Sequence, residues 1–394
     1  MEYPLKGLRV LDFSRVLAGP FAGRMLCDLG ADVVKVEPPE GDITRYWGKS
    51  IADIPGYYHQ QNAGKRNICV DLRAENARHL IYALVEKTDI LIENYRPDVM
   101  ARLSLDYATL KEINPGLIML SISGFGHDGP ESSRAAYAPV IHAESGLIQR
   151  SSRRAGVGTD SFRDLPLSTA DTNASLHGLV GILSAIILRQ KTKRGQHIDI
   201  AMLDSTIATD DQLHYDLEAS WDTGPISNEI WSLPFGAALI SADFRIMFRL
   251  LIENKHLSDP ALPDMELSEK ISARRATVTA FFQSLATATA FDTVMKQMNV
   301  AWGLVRDPAD IGQQPTARAR GAIIDIDDRA GGSRPITQSP YRFSDAKSGV
   351  RGPAPHRGEH NHQIMEEWLS WNKQEIAVLH DKSILIYDQN WQHH

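Results

Sequence analysis

The stretch Leu8-Arg9-Val10-Leu11-Asp12-Phe13-Ser14-Arg15-Val16-Leu17-Ala18-Gly19-Pro20, continued by Phe21 to Leu29, Gly30 and Asp32-Val33-Val34-Lys35-Val36-Glu37, decides the fold. Leu8 to Phe13 is a short apolar run suited to a buried strand, and the polar pair Ser14-Arg15 ends it. Ala18-Gly19-Pro20 predicts a turn into an apolar helix over Phe21 to Leu29, which Gly30 stops. Asp32 to Glu37 is a second strand, closed by Pro38-Pro39. Strand, helix and strand within about 30 residues form a βαβ unit, so a parallel sheet is expected.

Outward from this unit the alternation persists. Asn67 to Asp71, Ile90 to Glu93 and Leu117 to Ser123 read as strands, separated by a helix over Ala74 to Glu86 and another near Asp98. Ser123 runs into the turn-rich Gly124-Phe125-Gly126-His127-Asp128-Gly129-Pro130. A long apolar helix is predicted from Ala174 to Arg189, then a strand from His197 to Ala201. This is a doubly wound α/β pattern, whose ligands bind beyond the carboxyl ends of the strands. Residues 1–205 should form a first, larger domain, 206–220 a helical connector and 221–325 a smaller α/β domain. The closing helix is expected over Asn361 to Trp371.

Composition bounds the function. At 394 residues, 43% hydrophobic and 23% charged, the chain can build its own cores. A net charge of −7 argues against a nucleic-acid surface, which needs a concentrated basic face. Cys27 and Cys69 belong to no CxxC or Cys/His cluster, so neither a disulfide nor a metal site is expected. No basic n-region with an apolar run opens the chain, and no run of about 18 apolar residues follows. A cytoplasmic protein is the expectation.

Two local features suggest chemistry. Ala18-Gly19-Pro20 follows a strand and opens a helix, so backbone N–H groups there could cradle an anion, or the turn could serve packing alone. It is not GxGxxG, and no GxxxxGK[ST] occurs. Asp171, in Ser168-Thr169-Ala170-Asp171-Thr172-Asn173, is either a helix N-cap or a nucleophilic carboxylate whose pKa the positive helix end holds down. Pattern alone leaves both open.

A wider set of motifs resembles the class III CoA-transferases (CaiB/BaiF, formyl-CoA transferase-like). Besides Asp12 to Pro20 and Leu29 to Glu37, these are Gly41-Asp42 to Arg45, Asn62 to Asp71, Glu93-Asn94-Tyr95-Arg96-Pro97, Ser123 to Gly126, Asp171, Thr192 to Ser205, and Pro353 to Asn361, in order along the chain. The resemblance implies an interlaced homodimer, each chain threaded through a ring formed by the other. It also implies a large, Rossmann-like CoA-binding domain made of both chain ends, with 326–394 a return segment completing it, and a small middle domain. It implies transfer of coenzyme A between carboxylic acids through a mixed anhydride and an aspartyl-CoA thioester on Asp171. CoA-contacting positions would be Leu17, Ala18, Val70, Asp71, Leu72, Arg73, Asn94, Tyr95, Arg96 and Arg102, the arginines meeting phosphates or stacking on adenine. A substrate pocket would involve Arg15, Arg45, Trp47, Tyr137 and Ala138. No permanent cofactor or metal is implied; acyl-CoA and small acids are substrates, and the partner is a second copy, not nucleic acid or membrane.

Departures from the family pattern bear on substrate. A racemase of this superfamily would pair Asp171 with a histidine where Tyr137 stands, and a phenol near pKa ~10 is a poor neutral-pH base. His142 and His177 are nearby and read as ordinary core or helix histidines. Formyl-CoA:oxalate transferases carry glutamine at Leu17, glutamate at Ala138 and a glycine-rich flap where Ile230 to Gly236 stands, so oxalate is disfavoured. Arg15 and Arg45 suggest a dicarboxylate such as succinate. The alternatives are a racemase-like acyl-CoA enzyme and a CoA-binding protein without catalysis. The segment around Trp231 to Phe244 looks shorter and less regular than the family norm.

Overall fold

The computed structural model describes residues 1–155, 158–220 and 228–388. In chain order the elements run β1 (Arg9–Asp12), α1 (Ala18–Asp28), β2 (Asp32–Glu37), β3 (Ser50–Ile51), β4 (Ile54–Pro55), α2 (Gly56–Asn62), β5 (Arg66–Cys69), α3 (Ala77–Val85), β6 (Ile90–Glu93), α4 (Pro97–Arg102), α5 (Tyr107–Ile113) and β7 (Ile118–Ser123). They continue with α6 (Ala138–Glu144), α7 (Leu147–Ala155), α8 (Thr169–Thr192), β8 (His197–Ala201) and α9 (Met202–Ala208).

Six strands form one wholly parallel sheet in the order β5-β2-β1-β6-β7-β8. It is a mixed α/β fold. Ile118–Ser123 is buried at every position, as expected of a strand covered on both faces. One face packs Val10, Ile90, Ile92, Ile118 and Leu120 beneath α1 and α8; the other packs Leu11, Leu91 and Met119 beneath α3 and the closing helices. The chain reverses its winding between β1 and β6. A crevice at their carboxyl ends follows from that topology.

Three local expectations change. The first helix begins at Ala18, not Phe21, so Pro20 lies in its first turn, where a missing N–H costs nothing. The predicted helix over Ala174 to Arg189 extends to Thr169–Thr192, placing Asp171 inside the first turn; the N-cap is Ser168. The helical connector expected over 206–220 instead holds the end of α9 and a separate short helix, α10 (Leu213–Leu217).

Two compact units exist: Met1–Asp211 with Thr316–His394, and Gln212–Pro315. The expected limits of the smaller unit, 221 and 325, therefore each lie about ten residues late, and positions 221–227 fall outside the described residues. The smaller unit holds β9 (Glu229–Leu233), β10 (Gly236–Ile240), α11 (Phe244–Glu253), α12 (Leu267–Ser284), α13 (Ala288–Gln297) and β11 (Trp302–Leu304), with a three-stranded antiparallel sheet. The segment expected to be irregular is a regular hairpin, with Trp231 edge-on to Phe282 in the core. In the larger unit α14 (Pro315–Ala319) and the hairpin β12 (Ile323–Asp327) and β13 (Ser333–Thr337) precede α15 (Asn361–Leu369). A helix not predicted, α16 (Lys373–Asp381), follows, and beyond it Leu385 bridges to Val70.

Candidate active site

The crevice is built from the chain segments leaving β1 and β6. Asp12, at the end of β1, is buried and bonds Lys65 Nζ at 2.7 Å and the Ser14 amide at 3.0 Å. Lys35, equally buried, donates to the Ser14 carbonyl at 2.7 Å and pairs with Asp42 at 3.1 Å. The Asp42 carboxylate accepts the Val16 amide at 3.2 Å. Buried charges survive only when paired and bonded in this manner. The network holds Val16 at φ 67°, a left-handed conformation costly for a β-branched residue. Immediately afterwards α1 begins. Gly19 is required there, because a Cβ would sit 2.1 Å from that of Ser14.

Opposite, α8 delivers Asp171. Its small residues allow close packing on the sheet: a Cβ on Gly178 would lie 2.8 Å from Leu120 Cδ2, and one on Gly181 3.0 Å from Ile198 Cγ2. The Ser175 hydroxyl bonds the Ala18 carbonyl, tying α8 to the start of α1. Burial pushes the Asp171 carboxyl up to about 6, opposed by nearby His142 and by the Ala18 and Asp171 backbone N–H groups. The expectation of a pKa held down by the helix end is therefore reversed: the helix and the α1 amides lower it, but desolvation is larger.

Asp171 opens into a cavity of about 390 Å³ lined also by Arg15, Ala18, Asn94, Tyr95, Arg96, Arg134 and Tyr137. Arg15 lies over the Tyr95 ring at 5.2 Å and, among the described residues, forms no ion pair. Val70, Asp71, Leu72, Arg73 and Tyr95 line an adjoining concavity of about 160 Å³ with Phe13, Pro38 and Glu40. Arg73 there is exposed and paired with Asp71 and Glu40.

Five predicted positions lie elsewhere. Leu17 is the buried N-cap of α1, and Ala138 is buried under the start of α6. Arg102 is exposed on α4, 3.2 Å from Asp98. Trp47 meets Tyr57 edge-on at 5.3 Å and lines a separate recess with it. Arg45 is not a free guanidinium. It grips buried Glu37 at 2.7 and 2.9 Å, with Tyr58 at 2.6 Å, because Arg45 folds inward from the short helical turn after β2 onto the end of that strand and onto α2.

Sequence reasoning missed Tyr57, whose phenol is pushed up to about 12 by burial, with Asp171 adding to the effect, and so stays a hydrogen-bond donor. It missed Arg134, which lines the cavity while paired with Glu131 and Glu144. It also passed over His142. Only spatial proximity marks these residues; none stands in a chemical motif.

A doubly wound sheet whose switch-point crevice presents a buried carboxylate, helix-start amides and a guanidinium defines an enzyme for anionic substrates. The chain belongs to CoA-transferase family III, whose model matches residues 5–361. The succinate–glutarate CoA-transferase of Agrobacterium fabrum is 31% identical over 389 residues, covering 92% of this chain and 95% of that protein. The acetyl-CoA:oxalate CoA-transferase of Acetobacter aceti is 40% identical over 206 residues, 52% of each chain. The crystal structure of a CaiB/BaiF family protein from Brucella suis matches with a TM-score of 0.77 and 32% identity, over 93% of this chain and all of that one. This chain is accordingly a class III CoA-transferase.

Proposed function

We propose that the enzyme moves coenzyme A from an acyl-CoA to a dicarboxylic acid of the succinate or glutarate type, through covalent intermediates on Asp171. The observation that carries this is the Asp171 carboxyl beside the Ala18 amide, in one cavity with Asn94, Arg96 and Arg15.

The Asp171 carboxylate attacks the donor thioester carbonyl; the C–S bond breaks, leaving a mixed anhydride and CoA thiolate. The thiolate attacks the aspartyl carbonyl, the anhydride C–O bond breaks, and the donor acid leaves, giving an aspartyl-CoA thioester. The acceptor carboxylate attacks that thioester carbonyl; the C–S bond breaks, giving a new anhydride and CoA thiolate. The thiolate then takes the acceptor acyl group, which restores Asp171. Each bond exchanged is an activated acyl bond, so no energy source is needed. Amides at the α1 start would stabilise the developing oxyanions.

Arg15 is the guanidinium suited to a second carboxylate, and the Agrobacterium relative named for two such acids supports that class. CoA would lie along Ala18, Asn94 to Arg96 and Val70 to Arg73, with Leu17 supporting the turn. Arg102, at the exposed end of α4, would meet a phosphate only by leaving Asp98. Tyr137, 71% exposed at the cavity wall, and Trp47 would contact substrate on closure. A racemase is disfavoured because Tyr137 stands in the histidine position and both ring nitrogens of nearby His142 are engaged.

The interlaced homodimer belongs to the same proposal. The outer stripe of α8 exposes Leu176, Val180 and Ile187, which a second copy would cover. Light scattering should give twice the chain mass.

Incubation with succinyl-CoA followed by hydroxylamine should place the label on the peptide containing Asp171. An unlabelled enzyme that still transfers CoA overturns the covalent route, and α-proton exchange in deuterated water would reveal a racemase instead.

A further inference from the structure

The helix that carries Asp171 does not cap itself. Its N-cap, Ser168, makes no side-chain bond to the first turn. First-turn N–H groups left unbonded are costly when buried, and Ala170 is fully buried. The Ala170 amide instead donates to His142 Nε2 at 3.3 Å, and Thr169 Oγ1 stands 2.9 Å from the same nitrogen. His142 comes from α6, with 1% of its side chain exposed.

The other ring nitrogen is fixed as well. His142 Nδ1 lies 2.8 Å from Asp164 Oδ1, an oxygen that also accepts the Leu165 amide at 2.8 Å. Since Nε2 receives a backbone N–H, its lone pair faces α8 and the ring proton resides on Nδ1, donated to Asp164. A carboxylate thus orients an imidazole, and the imidazole grips the two residues that precede Asp171. An ordinary core histidine satisfies itself; this one satisfies the helix start on which the nucleophile rides.

We infer that His142, oriented by Asp164, is a positioning residue that fixes the first turn of α8 and so aims Asp171 at the thioester. The inference rests on Asp171 being the nucleophile. A misaimed nucleophile loses turnover while the CoA contacts, which lie on other elements, persist.

The test compares four variants. His142→Ala should lower kcat by ~10–100-fold while KM for succinyl-CoA stays within about twofold, as expected for a small misplacement of a reacting group. His142→Gln puts an acceptor oxygen near the Nε2 position and should stay within about fivefold of wild type. His142→Asn reaches only toward Asp164 and should resemble His142→Ala. Asp164→Asn, which can turn an N–H toward Nδ1 and favour the other tautomer, should cost about tenfold. Wild-type kcat in the alanine variant, or equal activity of the glutamine and asparagine variants, overturns the inference; should the alanine variant not fold, the second comparison decides. Hydroxylamine trapping separates the two readings. No label in wild type means Asp171 is not the nucleophile, whereas unchanged labelling rates in His142→Ala remove only the positioning role.

Discussion

Asn94 and Arg15 are joined in both directions: Asn94 Oδ1 accepts the Arg15 amide at 2.8 Å, and Asn94 Nδ2 donates to the Arg15 carbonyl at 2.8 Å. One side-chain amide thus stitches the segment leaving β6 to the segment leaving β1, across the point where the sheet reverses its winding. The turn that shapes the crevice is set by this clamp together with the buried Lys35–Asp42 pair.

Replacing Asn94 by alanine removes both bonds. At about 1 kcal/mol for each, the turn loses roughly 2 kcal/mol of its hold, and KM for acyl-CoA should rise ~10–30-fold. Asn94→Asp keeps the acceptor and loses the donor, so its effect should be intermediate. Steady-state kinetics on both variants measures this, and an unchanged KM would contradict it.

Activity and stability should respond oppositely to pH at Asp171. Its folded pKa of about 6 lies above the ordinary carboxylate value near ~3.9. Protonation therefore favours the folded chain: that contribution is fully present below the unfolded pKa and is lost as pH rises through about 6. The nucleophile needs the carboxylate, so kcat/KM should fall about tenfold per pH unit below its apparent pKa near 6. Asp171→Asn should abolish turnover and unfold at higher urea concentration than wild type at pH 8, the difference vanishing toward pH 4. An acid limb below pH 4 would show that burial does not dominate.

The two arginines that sequence grouped together should separate. Arg45→Met leaves Glu37 buried without its partner and should cost ~3–5 kcal/mol in urea unfolding. Arg15→Met should leave stability within about 0.5 kcal/mol. It should reduce kcat/KM for succinate ~10–100-fold relative to a monocarboxylate of equal length, as expected for losing a charge-assisted contact.

Close approach of α8 to the sheet should be visible in stability. Gly178→Ala gains about 1 kcal/mol of helix propensity, but its Cβ meets Leu120 at 2.8 Å in a filled core. Lower stability by ~1–2 kcal/mol is expected, and more for Gly178→Val. Ser184→Ala, on the outer stripe of the same helix that a second copy is proposed to cover, fills no core space and should be neutral or slightly stabilising. Urea midpoints order the three.

The sequence by itself determined the alternation of strands and helices, since apolar periodicity and Gly or Pro breaks act over a few residues. It therefore carried the parallel sheet, the turn at Ala18, and the position of Asp171 near a helix start. Tertiary structure alone decided which charges are free and which are spent. Arg15 and Arg45 are the same residue type thirty positions apart, yet one lines the cavity and the other is locked onto Glu37. The same holds for Asp171, whose pKa reflects desolvation by chain segments distant in sequence, and for His142, whose hydrogen bonds reach Asp164 and the start of α8. Burial and hydrogen-bond partners are properties of three-dimensional neighbours, and no local pattern encodes them.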